Sequence, residues 1–349
     1  MINIKLLADV CRLGGAPGHE QRVRAFVMEQ VKDLVDEVKT DAMGNVIAIK
    51  KGQSDQRVMI AAHMDEISFM ITDIDKNGFL KFHVLGGFDP KTHTAQRVII
   101  HGKEDILGVM GTKPIHVMSP EERGKSLKNT DYFIDTGLPV EKVKEIVSVG
   151  DVVTRQRELI EMGECVNAKS LDNRVSVYIL IEVLKVLKDK TVPHDIYATF
   201  TVQEEIGLRG ATAAASGINP DFSINLDVTM AYDLPGAASH EMVTKLGKGT
   251  AIKVIDGMTV CDYRMVKYMK EVAERHSIDY QMELLPAGGT DTAGMQRHAN
   301  GGSIAGGISI PLRYLHQSIE MAHKKDIKDT IDLLGRTLEE MDKYDWSFR

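Results

Sequence analysis

Four short apolar runs in this chain each lead into a side chain able to bind a metal ion, and that recurrence constrains the fold more than any other feature. Val58-Met-Ile-Ala-Ala62 runs into His63-Met64-Asp65, and Ile196–Val202 closes on Glu204-Glu205. Phe222-Ser-Ile-Asn-Leu226 runs into Asp227, and Ile308-Ser-Ile-Pro-Leu312 leads within a few residues to His316. Runs of this length read as buried parallel strands. In open α/β sheets ligands bind beyond the carboxyl ends of such strands. A His-x-Asp, a Glu-Glu, an Asp and a second His therefore converge on one rim. Mixed nitrogen and oxygen donors of this kind suit two divalent cations.

The rest of the chain fits one large core and more than one domain. It has 349 residues, 43% of them hydrophobic, ample to bury a core and long for a single unit. The net charge of −7 is spread over mixed signs, which gives no reason to expect nucleic acid or an anionic membrane surface as a partner. Cys11, Cys165 and Cys261 are odd in number and unclustered, as in a reducing compartment. Neither a basic, then apolar amino terminus nor an apolar stretch of spanning length is visible. The expectation is a soluble cytoplasmic enzyme.

Helix-period apolar positions mark residues 3–12 and 20–35, and Val46–Ile49 reads as a strand after the turn at Asp41–Asn45. From about Ser68 the texture changes to short alternating strands broken by glycine and asparagine turns. The expected architecture is an α/β fold with a mixed, mostly parallel sheet flanked by helices and an inserted small β-barrel-like domain. The expected boundaries are a catalytic unit of residues 1–67 plus 164–349 and an insert of 68–163. Within the insert, Met118–Thr130 is charged and has no apolar period, which reads as a mobile loop. Arg174–Lys188 reads as a buried helix, and Ile327, Ile331, Leu334 and Leu338 lie on one stripe of a last helix.

Taken singly, these residues are weak signals. A strand-end His is more often structural than a ligand, an Asp there often caps a helix, and Glu-Glu pairs are usually solvated. Asp172, just before the buried helix, would serve as an N-cap. It is also the best candidate for a carboxylate bridging two ions. The combined pattern is far more specific than its parts. Asp291, in Gly288-Gly-Thr-Asp291, is either a support for the site or part of a glycine-rich turn. His83, His93, His101, His116 and His240 have no partner spacing and read as structural or surface residues.

At these motifs the chain resembles the tetrahedral (TET) dinuclear metallo-aminopeptidases, the family that includes the glutamyl aminopeptidases. The shared segments are Ala62-His-Met-Asp-Glu66, Ser170-Leu-Asp-Asn-Arg174, Gln203-Glu-Glu-Ile-Gly-Leu-Arg-Gly210, Asn225-Leu-Asp227, Gly288-Gly-Thr-Asp291 and Arg313-Tyr-Leu-His316. They span essentially the whole chain in the family's order. The resemblance implies that His63, Asp172 and Asp227 hold one ion and that Asp172, Glu205 and His316 hold the other. It gives Glu204 the role of general base and Asp65 that of steadying the His63 ring. It implies a cis bond between Asp172 and Asn173. It also implies dimers assembling into a hollow dodecamer, with the insert building the contacts.

Ser68 and Gln317-Ser318 depart from the family pattern without removing a ligand, so they bear on pocket shape. The expected activity is removal of amino-terminal residues from short peptides. The expected cofactor is two divalent ions per subunit, zinc first, with cobalt or manganese also suited to these donors. A glycoside hydrolase, which also needs paired carboxylates, and a non-catalytic scaffold of peptidase descent are the alternatives. The two histidines weigh against the first, and the complete set of ligands and base weighs against the second.

Overall fold

The computed structural model describes residues 2–348. The four apolar runs lie side by side as the strands His194–Thr201, Ser54–His63, Phe222–Met230 and Ile304–Arg313, in that order and all parallel. Because they are buried on both faces, each reads as a continuous apolar run. Successive side chains still alternate between the two faces. Val58, Ile60 and Ala62 pack into the main core with the Leu171–Leu187 helix. Met59 and Ala61 face the opposite layer, where Ala211, Ala214 and Ala215 of the Arg209–Ile218 helix meet them.

Antiparallel strands extend this parallel centre into an 11-stranded sheet. Val46–Lys50 and then Glu37–Thr40 lie on one side; Glu320–His323, Cys165–Ala168 and Ile160–Met162 lie on the other. Thr250–Ile255 also pairs with Ile304–Arg313 and carries Tyr280–Leu284 beside it. The mixed α/β architecture expected from sequence is present, with helices on both faces.

Between His63 and Asp172 the chain leaves this sheet and closes a six-stranded antiparallel barrel of Ser68–Ile74, Leu80–Leu85, Phe133–Asp135, Asp105–Gly111, Arg97–His101 and Val152–Arg155. The barrel has its own core, centred on Phe69, Ile71, Leu80, Val98, Ile100, Ile134 and Val153. It closes at Arg155, and Ile160–Met162 already pairs into the large sheet. The Met118–Thr130 segment is less featureless than its composition suggests. It contains the helical turn Pro120–Arg123, closed by a capping box in which Ser119 Oγ accepts from the Glu122 amide and the Glu122 carboxylate accepts from Ser119 N. Lys113 Nζ donates to that same carboxylate at 2.8 and 2.9 Å. Among the described residues no helix is long and apolar enough to cross a membrane.

Candidate active site

Parallel register delivers the first two site residues. Asn225 lies opposite Ala61 and Thr201 opposite His63, so His63 and Asp227 sit equally far along neighbouring strands and on the same face. Asp172 enters from the start of the buried helix, whose first residues are not helical: Asp172 has φ −76° and ψ 103°. The Asp172–Asn173 peptide bond is cis. His316 and Glu205 come from loops beyond the Ile304–Arg313 and His194–Thr201 strands. Gln203, Leu208, Tyr314, His316 and Ser170, all flanking the site, have positive φ. Each such non-glycine residue costs about 1–3 kcal/mol, a strain that concentrates at functional sites.

The geometry brings the five expected ligands into two groups that share Asp172. His63, Asp172 and Asp227 present donor atoms within 4.8 Å of one another, as do Asp172, Glu205 and His316. One oxygen of Asp172 faces His63 Nε2 at 3.2 Å, and the other faces His316 Nε2 at 3.3 Å. His63 Nε2 lies 3.8 Å from Asp227, and His316 Nε2 lies 3.6 Å from Glu205. Ligands about 2.0–2.1 Å from a tetrahedral zinc ion lie roughly 3.3 Å from each other. The donor types and spacings therefore fit two ions joined by one carboxylate. Glu205 Oε1 is buried with no hydrogen-bond partner among the described residues, as a side chain shaped for an ion would be.

Without cations, the electrostatics of this cluster are unfavourable. Burial pushes the Glu205 carboxyl up to about 8, with the Asp172 charge adding to it. Burial likewise raises Asp227 to about 6 and Glu204 well above the usual carboxylate range. Burial also pushes Asp172 up, but hydrogen bonds from His316 and His63 outweigh it and hold that carboxyl well below its usual range. Burial pulls His316 down, and the Asp172 hydrogen bond with the Glu205 charge overcomes it, lifting the imidazole to about 10. Protons shared in this way are what bound cations replace, since metal ligands must be deprotonated.

Glu204 stands outside both donor groups, its carboxylate 3.9 Å from His63 Nε2. Asp65 does more than its expected part. One of its oxygens lies 3.4 Å from His63 Nδ1. The same carboxylate accepts the Glu204 and Glu205 amides at 3.0 and 3.1 Å. The Asp65 carboxylate thus stands between the imidazole and the Glu-Glu turn, and the Asp65 backbone carbonyl lies closer still to His63 Nδ1, at 3.2 Å. Gly210 lets that turn close, because a Cβ there would come within 2.4 Å of the Val202 carbonyl.

Several contributing residues escape sequence reading. Glu320 accepts the Asp172 amide at 3.0 Å. Arg155 reaches from the barrel to the His316 carbonyl at 3.4 Å. Glu66 accepts from Lys169 Nζ at 2.8 Å, and Arg174 donates to the Met64 carbonyl at 2.8 Å. These bonds weld the His63 segment to the Asp172 segment. Asp291 is buried at the start of a helix and accepts from Thr201 Oγ1 at 2.6 Å. It buttresses the strand end rather than forming a surface turn. Among the histidines given no role, His93 pairs with Asn129, and His101 with Asp105 and Thr154.

The two donor groups could each hold a metal ion, and comparison with known proteins identifies the class. A family model described as M42 glutamyl aminopeptidase matches residues 44–333. An Acetivibrio thermocellus protein, provisionally named an aminopeptidase, is 41% identical over 330 residues, covering 94% of this chain and 96% of its own. The lysyl aminopeptidase of Pyrococcus furiosus is 34% identical over 356 residues, covering 99% of this chain and all of its own. A solved structure of the Pyrococcus horikoshii TET1 peptidase, described as able to assemble into a tetrahedron or a large octahedral shell, superposes with TM-score 0.87 at 30% identity and covers 97% of this chain and 99% of that one. The chain belongs to the M42 glutamyl aminopeptidase family. It is a peptide hydrolase of the aminopeptidase type.

Proposed function

We propose that the chain is a dinuclear metal-dependent aminopeptidase that removes the first residue of short peptides, with Glu204 as general base. The observation carrying this reading is the two-sided placement of Asp172, one oxygen towards each histidine at 3.2 and 3.3 Å. His63, Asp172 and Asp227 would hold one ion, and Asp172, Glu205 and His316 the other. Zinc suits this donor set best, and cobalt and manganese would also be accepted. When bound, the pair supplies Lewis acidity and lowers the pKa of a shared water.

The chain's own groups do the rest. Glu204, held by the Asp65 bond to its amide, takes a proton from the attacking water and returns it to the departing amine. Asp65 keeps His63 aimed, and Glu320 fixes the backbone of Asp172. A cavity of about 320 Å³ opens from these residues, room for one amino-terminal residue. The three cysteines are free, in keeping with a cytoplasmic enzyme. Metal-loaded protein is expected to hydrolyse amino-acid anilides, to lose that activity with chelator, and to leave carboxymethylcellulose intact. Chelator-resistant cellulose cleavage would instead favour the glycosidase.

The barrel within the segment expected at 68–163 is proposed as an assembly domain inserted between residues 1–67 and 164–349, with Ile160–Met162 on the large sheet's side of that boundary. Leu107, Val109, Ile115 and Val117 are exposed on it, and exposed apolar side chains of this size are candidates for contact with another subunit. The expected state is dimers assembled into a dodecamer. Light scattering in the presence of metal checks it: a mass near one 38.7 kDa chain contradicts assembly, and a stable dimer contradicts the dodecamer.

A further inference from the structure

The cavity beside the metal-ligand cluster is also lined by a second polar cluster, Lys253, Asp256 and Glu283, whose ammonium is near enough to Asp227 for the two charges to interact. None of the three belongs to either donor group. All are buried, with relative exposures of 1%, 4% and 0%. Lys253 Nζ lies 3.2 Å from Asp256 Oδ2, 3.2 Å from Thr290 Oγ1 and 3.5 Å from Glu283 Oε1. Its three protons are therefore directed within the cluster. Asp256 Oδ2 also accepts from Thr290 Oγ1 at 2.9 Å, and its other oxygen accepts from the Met258 amide at 2.8 Å.

Glu283 is the exception. The Ser309 and Thr229 hydroxyls stand beside it, yet neither of its carboxylate oxygens completes a hydrogen bond among the described residues. Its charged partner is the Lys253 ammonium at 3.5 Å, which Asp256 shares, so a second cation would complete the pairing of this buried carboxylate. The three groups carry two formal negative charges against one positive. The same cavity is lined by Leu208, Met258, Leu285 and Leu315, apolar surface against which an aliphatic stem can lie.

We propose that this cavity selects a cationic amino-terminal residue, lysine or arginine, with Glu283 and Asp256 as the specificity-determining groups. The inference rests on the aminopeptidase reading above. The stem lies along the leucines and Met258, and the terminal cation is drawn to the wall where negative charge is in excess. An acidic side chain meets two carboxylates and an ammonium already saturated by them. A purely apolar side chain fits the walls but leaves the cluster's excess negative charge uncompensated.

The test is kcat/KM for lysine, arginine, leucine and glutamate anilides on the metal-loaded full chain, together with inhibition by free L-lysine and L-glutamate. Lysine and arginine are expected to exceed glutamate by roughly a hundredfold, on the order of what excess buried charge a few ångströms away supplies. L-lysine is expected to be the better inhibitor. Glu283→Gln and Asp256→Asn should each shrink the lysine-to-leucine ratio about tenfold. The wild-type comparison stands even where a variant fails to fold. Preference for glutamate or leucine overturns the inference alone. An equal loss on every substrate in Glu283→Gln overturns it too, since the wall would then bind the α-amine. Failure of all anilides removes the aminopeptidase reading and this inference with it.

Discussion

Replacing Glu204 with glutamine is expected to lower kcat by about 10²–10⁴-fold, the contribution typical of a positioned general base. Metal content should be unchanged. Glutamine keeps the shape of the side chain and removes only its capacity to take a proton. Both donor groups remain complete, since neither includes Glu204. Burial raises its carboxyl well above the usual range, with the neighbouring Asp227, Asp291 and Glu205 charges adding to the rise. A carboxylate that holds a proton more tightly than an ordinary one follows from that environment, in keeping with a base that must take and return a proton. The check is steady-state kinetics on an anilide beside metal analysis of the same preparation. Near-normal turnover would assign the proton transfer elsewhere, and loss of an ion would make Glu204 a ligand.

Stripping the metal is expected to abolish hydrolysis and to make stability depend strongly on pH. Glu205 at about 8 and Asp227 at about 6 are raised above their unfolded values, so from about pH 4 upward the folded state binds more protons than the unfolded one. Stability then falls as pH rises through that window. His316, raised to about 10, contributes stability that is full below its unfolded value and is also lost as pH rises towards 10. Asp172 shifts the other way, but its contribution is lost only as pH falls below the usual carboxylate range. The metal-free protein should therefore melt at progressively lower temperature from pH 5 to pH 9. Added metal should raise Tm most at the alkaline end, where its ligands are most ready to bind. Calorimetry of both forms across pH reads this directly. A metal-free Tm that rises with pH would contradict the buried, proton-sharing cluster.

The centre of the fold was legible because burial on both faces leaves an unbroken apolar run, and four such runs became the four parallel strands. Glu37–Thr40 was not legible, since a largely exposed edge strand has no apolar period to read. In the barrel, the turns announce short strands but not their neighbours. Val152–Arg155 closes it by pairing with both Ser68–Ile74 and Arg97–His101, and no local signal carries that long-range pairing. The helical turn after Met118 did leave a signal, because Ser119-Pro-Glu-Glu122 has the spacing of a capping box.

His63, the Glu204-Glu205 pair, Asp227 and His316 could be read because strand ends converge in an open parallel sheet, which turns sequence position into spatial proximity. Asp172 stood out before a helix, and Glu205 was set apart from Glu204 by the family resemblance. Their supports could not be read. Glu66 and Lys169 are 103 residues apart, and Asp172 and Glu320 are 148 apart. A charged residue gives no sign of being buried until its partner is known. The Glu283 wall was hidden for the same reason, because Tyr280–Leu284 shows only one buried residue in its five, and that residue is the glutamate.

Anomalous diffraction from crystals of the metal-loaded protein tests the central claim most directly. The account predicts two peaks per chain about 3.5–4 Å apart, one among His63, Asp172 and Asp227 and the other among Asp172, Glu205 and His316, with Asp172 between them. A fully active enzyme with no ion in this cluster, or with Asp172 bound to neither, would contradict it.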